Sequence, residues 1–209
     1  MNIYGITDLH GRFPSRIREM RDKIDVLIVS GDITHFGEGL EVIEKLAELS
    51  DYMEVLCVPG NCDNLEVVDL LEEYKLNVDG RVKKIENYNF VGIGGSNETP
   101  FNTPLEFSEE DLYDKGKKLC KGLKNIILIT HAPPYGTMLD LVGEKHVGSK
   151  AIRKIIEEEN VIFNACGHIH ECRGIDKIGK TIIVNPSPKS FFVYQPSKRV
   201  VILEDYIGL

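Results

Sequence analysis

No run in the 209-residue sequence approaches the roughly 18 consecutive apolar residues that a membrane-spanning helix needs. The opening MNIYGITDLHG has no basic leader, no long apolar segment and no cleavage signature, so the expectation is a cytoplasmic protein and no membrane partner. The five cysteines (Cys57, Cys62, Cys120, Cys166 and Cys172) are odd in number and lack the spacing of a disulfide framework or zinc knuckle. Free thiols in a reducing compartment are the simplest account, with Cys57, Cys120 and Cys166 as core filler. A basic stripe is missing too. Asp and Glu outnumber Lys and Arg by 33 to 25, a formal charge of -8 spread along the chain. That argues against a generic nucleic-acid surface. It leaves room for a small phosphorylated substrate, because bound cations reverse the local field. Without repeats, linkers or low-complexity tracts, and with 42% apolar and 28% charged residues, residues 1–209 read as one globular domain.

What is present is an alternation of short apolar runs and amphipathic ones. Residues 2–7, 25–30 and 53–58 predict buried strands. Helical segments follow each: one from near Pro14 to about Asp22, one over 38–49 with Leu40, Ile43, Leu46 and Ala47 on one face, and one over 65–74. This order indicates an α/β fold with an at least partly parallel sheet. Residues 82–86 and 88–93 predict a strand pair. Residues 94–104, GGSNETPFNTP, predict a long polar loop. Ser108 and Ser149 are expected to cap helices. Residues 125–130 and 161–166 predict two more buried strands, and the tail from Arg173 predicts an antiparallel meander.

The informative pattern is where polar residues fall. Asp8 and His10 follow the first strand, Asp32 the second, and Asn61 and Asp63 the third; His131 follows the 125–130 run, and His168 and His170 the 161–166 run. Groups just beyond the carboxyl ends of parallel strands share one crevice. Imidazole with carboxylate suits divalent ions: manganese first, with iron, zinc, nickel or cobalt as alternatives. Asp32 would bridge two ions, with Asp8, His10 and His170 on the first and Asn61, His131 and His168 on the second. Two such ions and a bridging hydroxide attract a phosphate and stabilise both attacking and leaving oxygens.

These residues, in this order, resemble the calcineurin-like metallophosphoesterase superfamily. The match runs through D8-x-H10, G31-D32, G60-N61-C62-D63, H131 and G167-H168-x-H170. The resemblance implies a four-layer α/β/β/α sandwich with mixed sheets and the metals at one edge. It implies a hydrolase of phosphate esters, with a small-molecule phosphodiesterase favoured. A phosphomonoesterase or nucleotide phosphatase, a nuclease and a weakly catalytic Vps29-like scaffold are the alternatives. The GNCD motif is most similar to the small prokaryotic YfcE- and Icc-related branch. Many members carry His where this chain has Cys62. The thiol is open to three readings: weak ligand, weak acid or packed residue.

Around the motifs stand further candidates. His35 would take over part of the missing imidazole role, against a plain helix-start histidine. Arg12 would meet a phosphate oxygen bidentately, against a solvated arginine. Ser96 and Asn97 lie in the polar loop as candidate substrate contacts, and His146 and Tyr135 as candidate rim residues. Asn185-Pro186-Ser187 would support the metal edge from behind. The apolar end KRVVILEDY leaves an edge for a homodimer.

Overall fold

A computed structural model describes residues 1–206, so positions 207–209 of the expected domain lie outside the described residues. The first apolar runs form β1 (Ile3–Ile6), β2 (Val26–Ser30) and β3 (Glu54–Val58), all parallel. Between and after them lie α1 (Ser15–Glu19), α2 (Glu41–Leu49) and α3 (Leu65–Glu73). The middle of the chain begins with β4 (Val82–Ile85), β5 (Tyr88–Ile93) and two short strands, β6 (Ser96–Asn97) and β7 (Glu106–Phe107). It continues through α4 (Glu109–Cys120), β8 (Ile126–Thr130) and the short β9 (Leu141–Val142) and β10 (Lys145–His146). It ends with α5 (Lys150–Glu158) and β11 (Val161–Ala165). Ser108 and Ser149 cap α4 and α5 by accepting from Asp111 N–H and Ile152 N–H, satisfying donors a helix start would leave open.

Three apolar layers set the architecture. Successive side chains of β2 point to opposite faces. Leu27 and Val29 pack with Ile17, Ile43, Leu46, Val67 and Leu71 of the first three helices. Ile28 faces the other way, in a layer with Leu56, Ile127, Phe163, Val184 and Phe192. Ile126, Leu128 and Ile183 join Leu112, Ile152 and Ile155 in the third. Helices, sheet, sheet and helices are therefore stacked in the expected α/β/β/α order. Phe163 lies 3.9 Å from Tyr194 between the sheets, rings 8° from parallel. Phe163→Ala there would cost about 3–5 kcal/mol, from lost burial and the cavity left behind.

The tail departs from the expected single meander. It forms β12 (Gly174–Ile178), β13 (Thr181–Asn185), β14 (Ser190–Gln195) and β15 (Val200–Asp205). The first hairpin joins the six-stranded sheet β12-β13-β11-β8-β5-β4, where β13 runs parallel to β11. The second joins the five-stranded sheet β15-β14-β1-β2-β3. The chain changes sheets at Pro186 to Ser187, where Ser187 takes a left-handed φ of 63°. Each hairpin thereby extends a sheet that already has a free edge. The polar loop is also not wholly irregular, because β6 pairs with β7. A further hairpin, β9 with β10, lies between β8 and α5.

Candidate metal centre

The parallel registers bring the carboxyl ends of β1, β2 and β3, and those of β8 and β11, to common edges. Backbone bonds lace the loops beyond them. Asp8 N–H donates to Gly31 C=O at 3.0 Å, His10 N–H to Asp32 C=O at 2.9 Å, and Gly167 N–H to His131 C=O at 2.9 Å. Four candidate ligands take left-handed backbone: Asp8 at φ 54°, His10 at 44°, Asp32 at 48° and His168 at 70°. Such positions cost on the order of 1–3 kcal/mol each and cluster where a site needs them. Two glycines let backbone come up against carboxylates. A Cβ on Gly60 would sit 2.1 Å from Asp32 Oδ1, and one on Gly167 2.7 Å from Asp8 Oδ2.

The side chains converge as two overlapping groups, Asp8–His10–His170 and Asp8–Asp32–His131, each with donor atoms within 4.8 Å of one another. His170 Nε2 lies 3.4 Å from Asp8 Oδ1. The two oxygens of Asp32 face different histidines: Oδ1 is 3.4 Å from His131 Nε2, and Oδ2 is 3.8 Å from His10 Nε2. Asp8, Asp32, Asn61 and His131 are buried. The ring of His168 lies 5.0 Å from that of His131, outside both groups, while the His168 backbone N–H donates to Asp8.

The set holds more lone pairs than protons. His131 Nδ1 lies 2.8 Å from the Ser30 carbonyl, which can only accept. Its proton therefore sits on Nδ1, and the bare Nε2 of the neutral ring faces Asn61 Oδ1 at 2.8 Å. The Asn61 amide cannot simply flip to donate. Its Nδ2 already donates to Thr103 Oγ1 at 2.8 Å, and Thr103 Oγ1 in turn donates to Glu106. His10 Nε2 and His170 Nε2 face each other at 3.2 Å, a contact that an Nε2–H tautomer of one ring satisfies, and His10 Nδ1 is buried without a partner. Only an added proton or a cation reconciles the contact between His131 Nε2 and Asn61 Oδ1. The donor chemistry, imidazole with carboxylate and carboxamide, fits divalent metals.

The electrostatics agree. Burial opposes charge on His131, but Asp32 and Asp8 outweigh it and raise its pKa. A hydrogen bond to Asp8 raises that of His170 against its own burial. Burial, with His131 beside it, lowers His168 to about 4, and burial also lowers His10. Burial would raise Asp8, yet the bond to His170 and the nearby histidines leave it below the usual range.

Of the flanking candidates, His35 lies beside the cluster, its ring 5.7 Å from that of His10. Cys62 is half-buried and its N–H donates to Asp32 Oδ1 at 2.8 Å. Burial, then the charge of Asp32, pushes its thiol up in the metal-free chain. Arg12 is exposed, two residues past His10. Asn97 and His146 are each tied to the segment between β8 and α5. Asn97 Nδ2 donates to Val147 C=O at 3.3 Å, while His146 Nδ1 bonds the buried Asp140 at 2.9 Å and its ring lies 5.6 Å from Tyr135. Ser96 turns its hydroxyl onto the Asn97 carbonyl. Asn185 donates to the Ile169 carbonyl at 3.0 Å and Ser187 to that of His170 at 2.8 Å, bracing the GHIH loop.

Sequence reasoning missed Thr103 and Glu106. A Thr three residues before a Glu was the available signal, but it lay in a loop with no periodicity to orient it. Asp63 had no assigned task. It accepts from Ile33 N–H, Thr34 N–H, Thr34 Oγ1 and Gly60 N–H at 2.8–3.1 Å, tying the second and third motif loops together. Burial and Asp32 push its carboxyl up to about 6.

Comparison with known proteins gives a consistent setting. Residues 1–172 match the family model described as calcineurin-like phosphoesterase. An uncharacterised protein of Methanocaldococcus jannaschii is 66% identical over 213 residues, covering 100% of this chain and 98% of that protein. Among solved structures, the protein TT1561 of Thermus thermophilus superposes with a TM-score of 0.78 at 16% identity, over 98% of both chains. A dimetal phosphatase from Danio rerio gives 0.62 at 11% identity over 99% of both. At such identities the two structures speak to the fold alone.

Proposed function

The chain belongs to the calcineurin-like phosphoesterase family, whose members are metal-dependent hydrolases of phosphate esters, and from that premise we propose that it is a cytoplasmic, single-domain phosphodiesterase of small molecules. The observation that carries the reading is Asp32, whose two carboxylate oxygens face histidines of different donor groups. In this reading Asp8, His10, Asp32 and His170 hold one divalent ion, and Asp32, Asn61, His131 and His168 hold the other. Manganese is the expected metal; iron, zinc, nickel and cobalt suit the same donors. When bound, such a pair supplies Lewis acidity, an activated water at neutral pH and positive charge for the phosphoryl oxygens.

The chain's own residues do the rest. Ser30 fixes the His131 tautomer through its carbonyl, and Asn185 and Ser187 hold the His168–His170 loop in place. Arg12 meets a non-bridging phosphate oxygen. His35 delivers a proton from its imidazole to the departing oxygen, the task that Cys62, with its uncharged thiol, does poorly. A diester carries one negative charge against nearly two for a monoester, which suits a rim offering Arg12 as its cation. Release is direct, without a covalent phosphoenzyme.

Purified protein, stripped of metal and reloaded with manganese, should be offered an aryl diester, an aryl monoester, a cyclic nucleotide and single-stranded DNA in parallel. Fastest turnover of the aryl diester supports the proposal. Preference for the monoester makes it a phosphomonoesterase, preference for DNA a nuclease, and no turnover with two bound ions a scaffold. A second copy of the chain is the proposed protein partner. The first four residues of β15, 200–203, carry no charge, with Val200 and Ile202 exposed. Basic Lys198 and Arg199 precede it and Glu204 and Asp205 end it, so an antiparallel copy would set opposite charges together.

A further inference from the structure

Phe36 is where no stability argument would put it. His35 N–H donates to Glu38 C=O at 3.0 Å and Glu38 N–H to His35 C=O at 2.9 Å, closing a two-residue turn on Phe36 and Gly37. Both central residues have positive φ, 53° and 88°. Asn-Gly or Gly-Gly make such turns cheaply, whereas a bulky side chain at positive φ is an outlier. The ring recovers little of that cost by burial, because Phe36 is 50% exposed.

The turn is also held firmly against the metal loop. Gly37 N–H donates to Thr34 Oγ1 at 3.1 Å, and Thr34 Oγ1 donates to Asp63 at 2.8 Å. A Cβ on Gly39 would fall 2.5 Å from the Gly11 Cα, so the turn's exit packs on the backbone next to His10. Rings then follow one another edge to face. Phe36 to His35 is 5.1 Å, His35 to His10 is 5.7 Å, and His10 to His170 is 5.2 Å. The row runs from candidate metal ligands out to an exposed, apolar ring.

We propose that Phe36, with His35, forms a subsite for a flat aromatic group, an aryl ring or nucleobase, esterified to the phosphate that the metal centre takes. The inference rests on the phosphodiesterase reading and names its substrate class. Phe36 offers a π-face and no hydrogen bond, so it stacks on any planar ring without selecting one base. Its continuity with the His10 loop places the subsite beside the reacting phosphate, and the hydrogen bonds of the turn hold the Phe36 backbone there.

The test is calorimetric binding of methyl(phenyl)phosphinate and dimethylphosphinate, singly charged like a diester, to the manganese-loaded protein. Both resist hydrolysis and carry the same charge. The wild-type protein should bind the phenyl compound about tenfold tighter, the gain of one stacking contact. Phe36→Ala should bring the ratio near one, and Phe36→Tyr should restore it. Phe36→Gly should also lose the preference yet melt at a higher temperature, because the strain is gone. A wild-type ratio near one, a preference that survives Phe36→Ala, or a lower melting temperature for Phe36→Gly would each overturn the proposal. Failure of both phosphinates to bind the metal-loaded protein would instead remove the phosphodiesterase reading, and the subsite with it.

Discussion

The Asn61 carboxamide donates to the Thr103 hydroxyl at 2.8 Å, and that contact decides which end of the amide faces the histidines. Thr103 spends its own proton on Glu106, so it can only accept from Asn61. Glu106 is held ionised for the task. Burial would raise its pKa, but bonds from Thr103 and Thr99 bring it down to about 2. Thr103→Val should therefore weaken manganese binding at the Asn61–His131 position by about 10–100-fold, the usual loss when a supporting partner of a ligand is removed. Thr103→Ser should keep it. Titration of metal-free protein with manganese checks both, and equal affinity in the Val variant would remove Thr103 from this role.

Asp63 should matter for stability rather than for the metals directly. It accepts four hydrogen bonds from two separate loops. Asp63→Asn turns one acceptor into a donor facing donors. The expected loss is about 2–4 kcal/mol in urea unfolding of the metal-free protein. A loss within about 0.5 kcal/mol, the surface level, would mean the loops hold without it.

Metal affinity should fall as the medium is acidified. His131 and His170 have raised pKa values in the metal-free chain, so each keeps its proton to a higher pH than an ordinary histidine. A metal must displace those protons, so binding is weaker on the acid side and strengthens as pH rises through the raised values. His168, at about 4, competes only in strong acid. Each displaced proton changes affinity by about tenfold per pH unit. Calorimetry in buffers of different ionisation enthalpy counts the protons released between about pH 6 and 8, the range around an ordinary histidine; a count of zero would contradict the assignment of these rings.

Cys62→Ser should leave metal content intact and cut aryl-diester turnover by less than about tenfold, because a thiol is a weak acid with short reach. Cys62→His should help poor alkyl leaving groups more than aryl ones. The value of kcat/KM for both ester types, in each variant, measures this. Loss of an ion in Cys62→Ser would make the thiol a ligand.

Much of this site was legible in the sequence. Asp8, Asp32 and Asn61 end runs apolar enough to be parallel strands, and parallel strands put their carboxyl ends together. The alternation gave the α/β class and the parallel strands, whereas the four-layer order came from the family resemblance of the motifs. The tail was not legible, because β13 and β14 read as neighbours in the chain and yet join different sheets; pairing is decided by which edges stand open. Thr103 and Glu106 were hidden in a loop whose hydrogen bonds follow no period. Phe36 was hidden because left-handed backbone at a Phe leaves no trace in composition.

Manganese content of wild-type and Asp32→Asn protein, after reloading and removal of excess metal, tests the shared two-ion centre most directly. The account predicts about two ions per wild-type chain. It predicts less than about one in Asp32→Asn, because the two Asp32 oxygens face a histidine of each donor group and a neutral amide binds each ion more weakly. Folded wild-type protein with no bound manganese, or an Asp32→Asn variant that keeps two ions, would contradict it.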